Sequence, residues 1–202
     1  MTASSQDSAL EPPPTESNLK PITDEEADVD PTPAGRSNIR PNSGEFSALL
    51  HRDVQIDRAT PLDQKALHAL ELRCFDPRMA FHSRQIKDLL RNPRADIWIM
   101  RYSSQIIAQV IVLRRKFRDG VHARIYSLTV DHTYRGLGLS RTLVLHVLDD
   151  LRAKLIRNVY LEVESDAIIP ITLYHALGFV QHHVLTDYYD IGRHGIKMRK
   201  TL

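Results

Sequence analysis

Three groups of residues in this chain have the types and spacing to do chemistry. The first is Arg135-Gly136-Leu137-Gly138-Leu139-Ser140-Arg141. A β-type run (Ile125, Tyr126, Leu128, Val130) precedes it, and Leu143, Val147, Leu151 and Leu155, spaced by four, follow it. The stretch reads strand, glycine-bearing turn, helix. That order aims backbone N–H groups and a helix N-terminus at one spot, which is a phosphate site or, read plainly, ordinary turn chemistry. The second group is Tyr160-Leu161-Glu162-Val163-Glu164, whose alternation puts Tyr160, Glu162 and Glu164 on one strand face. A carboxylate in an apolar strand is a general-base candidate; equally, it is a strand-end glutamate facing solvent or pairing with an arginine. The third is Tyr174, a phenol that helical periodicity alone assigns to a core.

The elements that must carry these residues follow from pattern. A first strand is expected at His51–Ile56, then a helix capped by Thr60 with Pro61 in its first turn and a stripe of Leu62, Ala66, Leu67, Leu70 and Cys74. A loop over Phe75–His82 leads to a helix capped by Ser83, carrying Ile86, Leu89 and Leu90, and stopping before Asn92-Pro93. Asp96–Met100 and Gln105–Leu113 read as a hairpin around Tyr102-Ser103-Ser104, with Arg114–Gly120 an exposed connection. After the glycine turn a helix runs to about Ile156, then a strand over Asn158–Glu164. Strand, helix and strand imply a right-handed crossover and a parallel pair. Where such strands separate they leave a slot at their C-terminal ends. A helix from Ile168 to Leu177, stopped by Gly178, and strands over Phe179–Leu185 and His194–Met198 complete an α/β fold. The expected architecture is one domain over residues 49–202, a mixed sheet of about seven strands with helices on both faces.

Residues 1–48 hold seven of the eleven prolines amid Ser, Thr, Asp and Glu, the composition of a disordered tail. Charge is split the same way. Residues 1–50 carry nine acidic and three basic side chains, a balance of −6; the remaining 24 basic and 16 acidic residues leave +8 on residues 51–202. A basic globular part suits an anionic ligand or an acidic protein surface. Nucleic acid is not expected, because the basic residues are dispersed and not interleaved with a row of aromatics. No apolar run approaches about 18 residues, so no membrane span is expected. The first residues lack a secretory pattern, and the single cysteine, Cys74, permits no intrachain disulfide; both fit a cytoplasmic protein. The spacing is neither GxGxxG nor a P-loop, and no G-x-S-x-G occurs. His182-His183 and His194 lack metal-ligand spacing, so no metal is expected.

Arg135-x-x-Gly138-x-Ser140 resembles the Gln/Arg-x-x-Gly-x-Gly/Ala pyrophosphate loop of the GCN5-related N-acetyltransferases. Leu161-Glu162-Val163, then Leu173-Tyr174-x-x-Leu177-Gly178-Phe179, resembles that family's LEV…LYxxLGF, most closely in the branch that acetylates the N-terminal amine of ribosomal proteins. The tail from Asp187-Tyr188-Tyr189 through Met198 is similar to that branch as well. The resemblance covers about residues 51–202.

It implies direct acetyl transfer from acetyl-CoA to an amine-bearing acceptor, a protein N-terminus, peptide or small molecule. Glu162 is then the general base, directly or through water, and Tyr174 the acid that protonates the departing thiolate. The backbone of Leu128, Thr129 and Val130 binds the pantetheine as an added strand does, and one N–H faces the developing oxyanion. The N–H groups from Gly136 through Leu137, Gly138, Leu139 and Ser140 to Arg141, with Arg135 before them, hold the pyrophosphate.

The chain departs from the family at Ser140, at Ala167 where an asparagine is frequent, and at His194-Gly195 where the ribosomal-protein branch has Asp-Ala. The alternative function is therefore a degenerate acetyltransferase fold that binds acyl-CoA or a protein without turnover. Acceptor choice is assigned to the loops Phe75–His82, Arg114–Gly120 and Thr186–Arg193. The sequence does not fix the oligomeric state.

Overall fold

A computed structural model describes residues 53–202. The proline-rich segment 1–48, its boundary at residue 49, and His51 lie outside the described residues. The elements, in chain order, are β1 (Gln55–Arg58), α1 (Gln64–Cys74), α2 (Ser83–Arg91), β2 (Ala95–Tyr102), β3 (Gln105–Phe117), β4 (Gly120–Val130), α3 (Leu139–Ala153), β5 (Asn158–Glu164), α4 (Ile168–Ala176), β6 (Val180–Asp190) and β7 (Arg193–Thr201). The seven strands form one sheet in the order β1-β2-β3-β4-β5-β7-β6. All neighbours run antiparallel except β4 and β5, the pair joined through α3.

Both sheet faces are covered, as expected. On one, α3 lays Leu143, Val144, Val147 and Leu151 against Val112, Ile125, Val159 and Leu161, all buried. Burial of such aliphatic side chains contributes about 1.5–3 kcal/mol each. On the other, Leu67 and Leu70 of α1 and Ile86 of α2 pack on Ile97, Ile99, Ile106 and Ile111.

Several details correct the sequence reading. Pro61–Asp63 form a 3-10 turn, with Asp63 Oδ2 accepting the Thr60 N–H at 2.8 Å. The α-helix therefore starts later, at Gln64, and its inward phase differs: Leu62 is 93% exposed and Ala66 is exposed. The buried stripe is Leu67, Leu70 and, unexpectedly, Glu71, with Cys74 half-buried. His82, not Ser83, occupies the cap of α2; its N–H donates to Gln85 Oε1 at 2.8 Å.

The β3–β4 hairpin is longer than expected. Arg114–Phe117 belong to β3 and only Arg118-Asp119 connect the strands. Leu155 follows the end of α3 with φ 58° and is 88% exposed, so it is no part of the helix stripe. Most of the expected Thr186–Arg193 loop is strand, with Ile191-Gly192 as the turn. At the β2–β3 turn, Ser103 and Ser104 both take positive φ, the twist that a two-residue hairpin requires. Among the described residues no helix is long and apolar enough to cross a membrane.

Candidate active site

The site begins with an irregularity in β4. Ile111 faces Ser127 but Val112 faces Ile125, so Tyr126 is an extra residue on the β4 side. Such a bulge bends the strand. The parallel ladder to β5 accordingly holds only His122–Arg124 against Asn158–Tyr160 and then stops. Past that point β4 keeps β3 on one edge and turns its other edge to a cleft of about 280 Å³.

Leu128, Thr129 and Val130 line this cleft, and so do Arg135, Gly136, Gly138, Leu139 and Ser140. Leu137 and Arg141, expected with them, fall outside its lining; Leu137 packs towards the core instead. Gly136 and Gly138 have φ 75° and 78°, the left-handed region that disfavours any other residue. Gly138 caps α3, and the first intrahelical bond is Thr142 N–H to the Gly138 carbonyl at 3.1 Å. By helix geometry the N–H groups of Leu139, Ser140 and Arg141 then have no carbonyl one turn back, and they surround the glycine turn.

The turn is anchored from behind by Asp131. Its buried carboxylate accepts the Thr133 N–H at 3.1 Å and Arg73 Nε at 2.7 Å, while Arg73 Nη2 also donates to the Ile106 carbonyl at 3.0 Å. Burial alone would raise the Asp131 pKa, but the Arg73 and Thr133 hydrogen bonds outweigh it and hold the carboxyl below its usual range. The end of α1 is thus tied to the entry of the glycine turn. Cys74 beside it donates to the Val130 carbonyl at 3.6 Å, and burial, then Asp131, push its thiol up, away from thiolate chemistry.

The opposite wall is Ile169, Pro170 and Leu173 of α4, with Phe75 and Tyr134 completing the lining. Sequence reading named none of these five as cofactor-cleft residues, although Phe75 opens the loop it assigned to acceptor choice. A signal existed for the first: Ile168 and Ile169 open α4 as exposed apolar residues that serve no core. Ala167 is buried before them.

Tyr174 is fully buried one residue past Leu173, its ring edge-on to Phe179 at 5.5 Å. Its hydroxyl has no hydrogen-bond partner among the described residues, and burial pushes the phenol far above its ordinary pKa. A buried donor without an acceptor is rare enough to need a reason.

Glu162 is placed as the strand alternation predicts, opposite the buried Val159, Leu161 and Val163. It does not line the cleft itself. Arg124 Nε donates to Glu162 Oε2 at 2.5 Å, so the arginine pairing that the sequence left open is present. Lys197 Nζ stands 3.8 Å from Oε1, beyond hydrogen-bond distance. Glu164 takes Arg193 in a fork at 2.6 and 3.0 Å, fastening the β6–β7 hairpin to β5.

On the other side, Glu71 holds the 75–82 loop to the sheet. Its carboxylate accepts the Phe81 N–H at 3.0 Å, Gln109 Nε2 at 2.6 Å and Thr129 Oγ1 at 3.2 Å.

The fold is shared with solved N-acetyltransferases. The crystal structure of the ribosomal-protein-S18-alanine N-acetyltransferase from Escherichia coli superposes with a TM-score of 0.64 at 21% identity, covering 73% of this chain and 93% of that one. Arabidopsis thaliana NAA60, solved in complex with acetyl-CoA, gives 0.65 at 18% identity over 74% and 98%.

The acetyltransferase (GNAT) family pattern matches residues 64–179, more than half of the chain, and the chain belongs to that family. In sequence it is 33% identical over 67 residues to the [ribosomal protein bS18]-alanine N-acetyltransferase of Escherichia coli (strain K12), a match spanning 33% of this chain and 45% of the relative. The Salmonella typhimurium enzyme of the same name is 31% identical over an equal span. The chain thus matches about half the length of these relatives.

Proposed function

We propose that this chain is an acetyl-CoA-dependent N-acetyltransferase that passes the acetyl group directly to a primary amine. The observation that carries the reading is the cleft between β4 and α4, with a glycine turn at one end and an unpartnered buried phenol beside it. Acetyl-CoA, when bound, supplies an activated acetyl thioester. The residues suit that ligand. The N–H groups from Gly136 to Arg141 would hold its pyrophosphate, and the free edge of β4 at Leu128–Val130 would pair with its pantetheine.

Glu162 takes a proton from the acceptor ammonium, directly or through a water, so that the nitrogen has a lone pair to attack with. Tyr174, kept protonated by its burial, holds the proton that the departing sulfur requires. The acceptor class is a protein N-terminus, a peptide or a small amine. A carboxylate takes a proton far more readily from an α-ammonium, with a pKa near about 8, than from a lysine, near about 10.4. That favours the α-amines within the class, the kind of acceptor named for the Escherichia coli relative. The reducing environment that suits the single cysteine is the cytoplasm.

The test is calorimetric titration of the full chain with acetyl-CoA, followed by acetyl transfer to a panel of α-amino peptides, lysyl peptides and small amines. Micromolar binding with turnover of an α-amine is expected. Binding without turnover of any amine would favour the non-catalytic alternative, for which Ala167 and Ser140 are the motive. Tyr174→Phe should slow transfer about 10²- to 10⁴-fold with acetyl-CoA affinity unchanged. An unaltered rate would remove Tyr174 from the acid role.

A further inference from the structure

We infer that Gly195 and Tyr188 set the position of Glu162 through Arg124, so that the hairpin residues at 194–195 tune the base; this rests on the reading of Glu162 given above. Strands β6 and β7 are in register at Leu185 and Gly195, and again only at Asp190 and Arg193. The residues between leave the ladder, with Asp187 at φ 51°. Asp187 is locked to the hairpin tip: its carboxylate accepts the Gly192 N–H at 2.8 Å and its N–H donates to His194 Nδ1 at 3.0 Å.

Tyr188, next in the chain, is thereby thrown across β7 at Gly195. A methyl group at position 195 would stand 3.0 Å from Tyr188 Cδ1, 3.2 Å from its Cβ and 3.3 Å from its Cγ. Gly195 lies outside the left-handed region, so the backbone would accept alanine. Its requirement for glycine is steric, and the group it makes room for is Tyr188.

From there the contacts lead to the base. Arg124 Nη2 donates to the Tyr188 hydroxyl at 3.2 Å while its Nε donates to Glu162 Oε2 at 2.5 Å. The guanidinium also lies over the Tyr126 ring, 5.5 Å from its centroid. Arg124 is therefore held on two sides and fixes one carboxylate oxygen. Oε1 accepts no hydrogen bond among the described residues and faces only the Lys197 ammonium, 3.8 Å away, so it is the oxygen left to take the proton. Gly195 is in this way part of the site. Gly195 and Tyr188 are positioning residues, acting on Glu162 only through Arg124.

The experiment is a double-mutant cycle on the full chain with Gly195→Ala and Tyr188→Ala, read by acetyl transfer and by the NMR signal of the Arg124 Nε–H. Gly195→Ala should lower kcat about tenfold, as a small misplacement of a reacting group does, with acetyl-CoA affinity unchanged, and should shift the Arg124 signal. In the Tyr188→Ala background the same change should add nothing to either readout. Tyr188→Phe, which keeps the packing and removes the hydroxyl, should shift the Arg124 signal without a loss of thermal stability. Additive costs in the cycle, or an Arg124 signal unmoved by Gly195→Ala, would overturn the inference. If the wild type binds acetyl-CoA but acetylates no amine, the transferase reading fails, and the Arg124 signal alone still decides the relay.

Discussion

Glu162→Gln lowers turnover about 10²- to 10⁴-fold, the range for loss of a positioned general base, while acetyl-CoA binds as tightly as before. The amide is the same size as the carboxylate, and its oxygen can still accept from Arg124 Nε, the 2.5 Å partner of Oε2 in the native chain. The substitution therefore leaves the strand, its packing and the cleft at the open edge of β4 in place. It removes a group able to take up a proton. Steady-state kinetics with a turned-over amine, beside calorimetry with acetyl-CoA, separates the two readings of this residue. If Glu162 serves only as the partner of Arg124, the variant loses stability and turnover falls severalfold at most.

That ambiguity shows how far the sequence could be read. The order strand, glycine turn, helix, strand is local information, and it was enough to place the parallel pair, the cleft between them and the face on which Glu162 lies. What stands opposite Glu162 depends on the register of β4 against β5 and on a bulge at Tyr126, neither of which has a local signature. The arginine partner could be listed as an option but not identified. Glu71 was illegible for a related reason. A charged residue on the inward side of a helix looks like an error of phase until Phe81, Gln109 and Thr129 are brought around it by the fold.

The hairpins were under-read because their outer halves are polar. Arg114–Phe117 has the composition of a loop, yet it remains paired because β4, not buried side chains, satisfies its backbone; in the equally polar Thr186–Asp190 the pairing with β7 breaks after Leu185 and resumes at Asp190. The same limit hid the second wall of the cleft. Ile169, Pro170 and Leu173 matter because α4 faces the open edge of β4, which is a fact of packing.

Gly138→Val should have the other large effect, on acetyl-CoA affinity. Gly138 sits at φ 78°, ψ 4°, where a β-branched side chain is strained by about 1–3 kcal/mol. The chain can relieve that strain only by rotating the residue that starts α3, which turns the N–H groups of Leu139 and Ser140 away from the cleft they line. Strain and misaligned donors act on the same equilibrium, so affinity should fall by about fivefold to a hundredfold, each 1.4 kcal/mol being a factor of ten. The neighbouring positions provide the contrast. Gly136→Ala also meets a positive φ, but a methyl there would find no atom within 4 Å, and Gly136 precedes the helix. Its loss should be smaller. Ser140→Ala restores a residue of the family pattern in ordinary helical backbone and should leave affinity unchanged or raise it. Calorimetric titration of the three variants checks the order. Gly138→Val binding acetyl-CoA within threefold of the wild type would mean that the turn only connects β4 to α3, and the pyrophosphate would have to be sought elsewhere along the cleft.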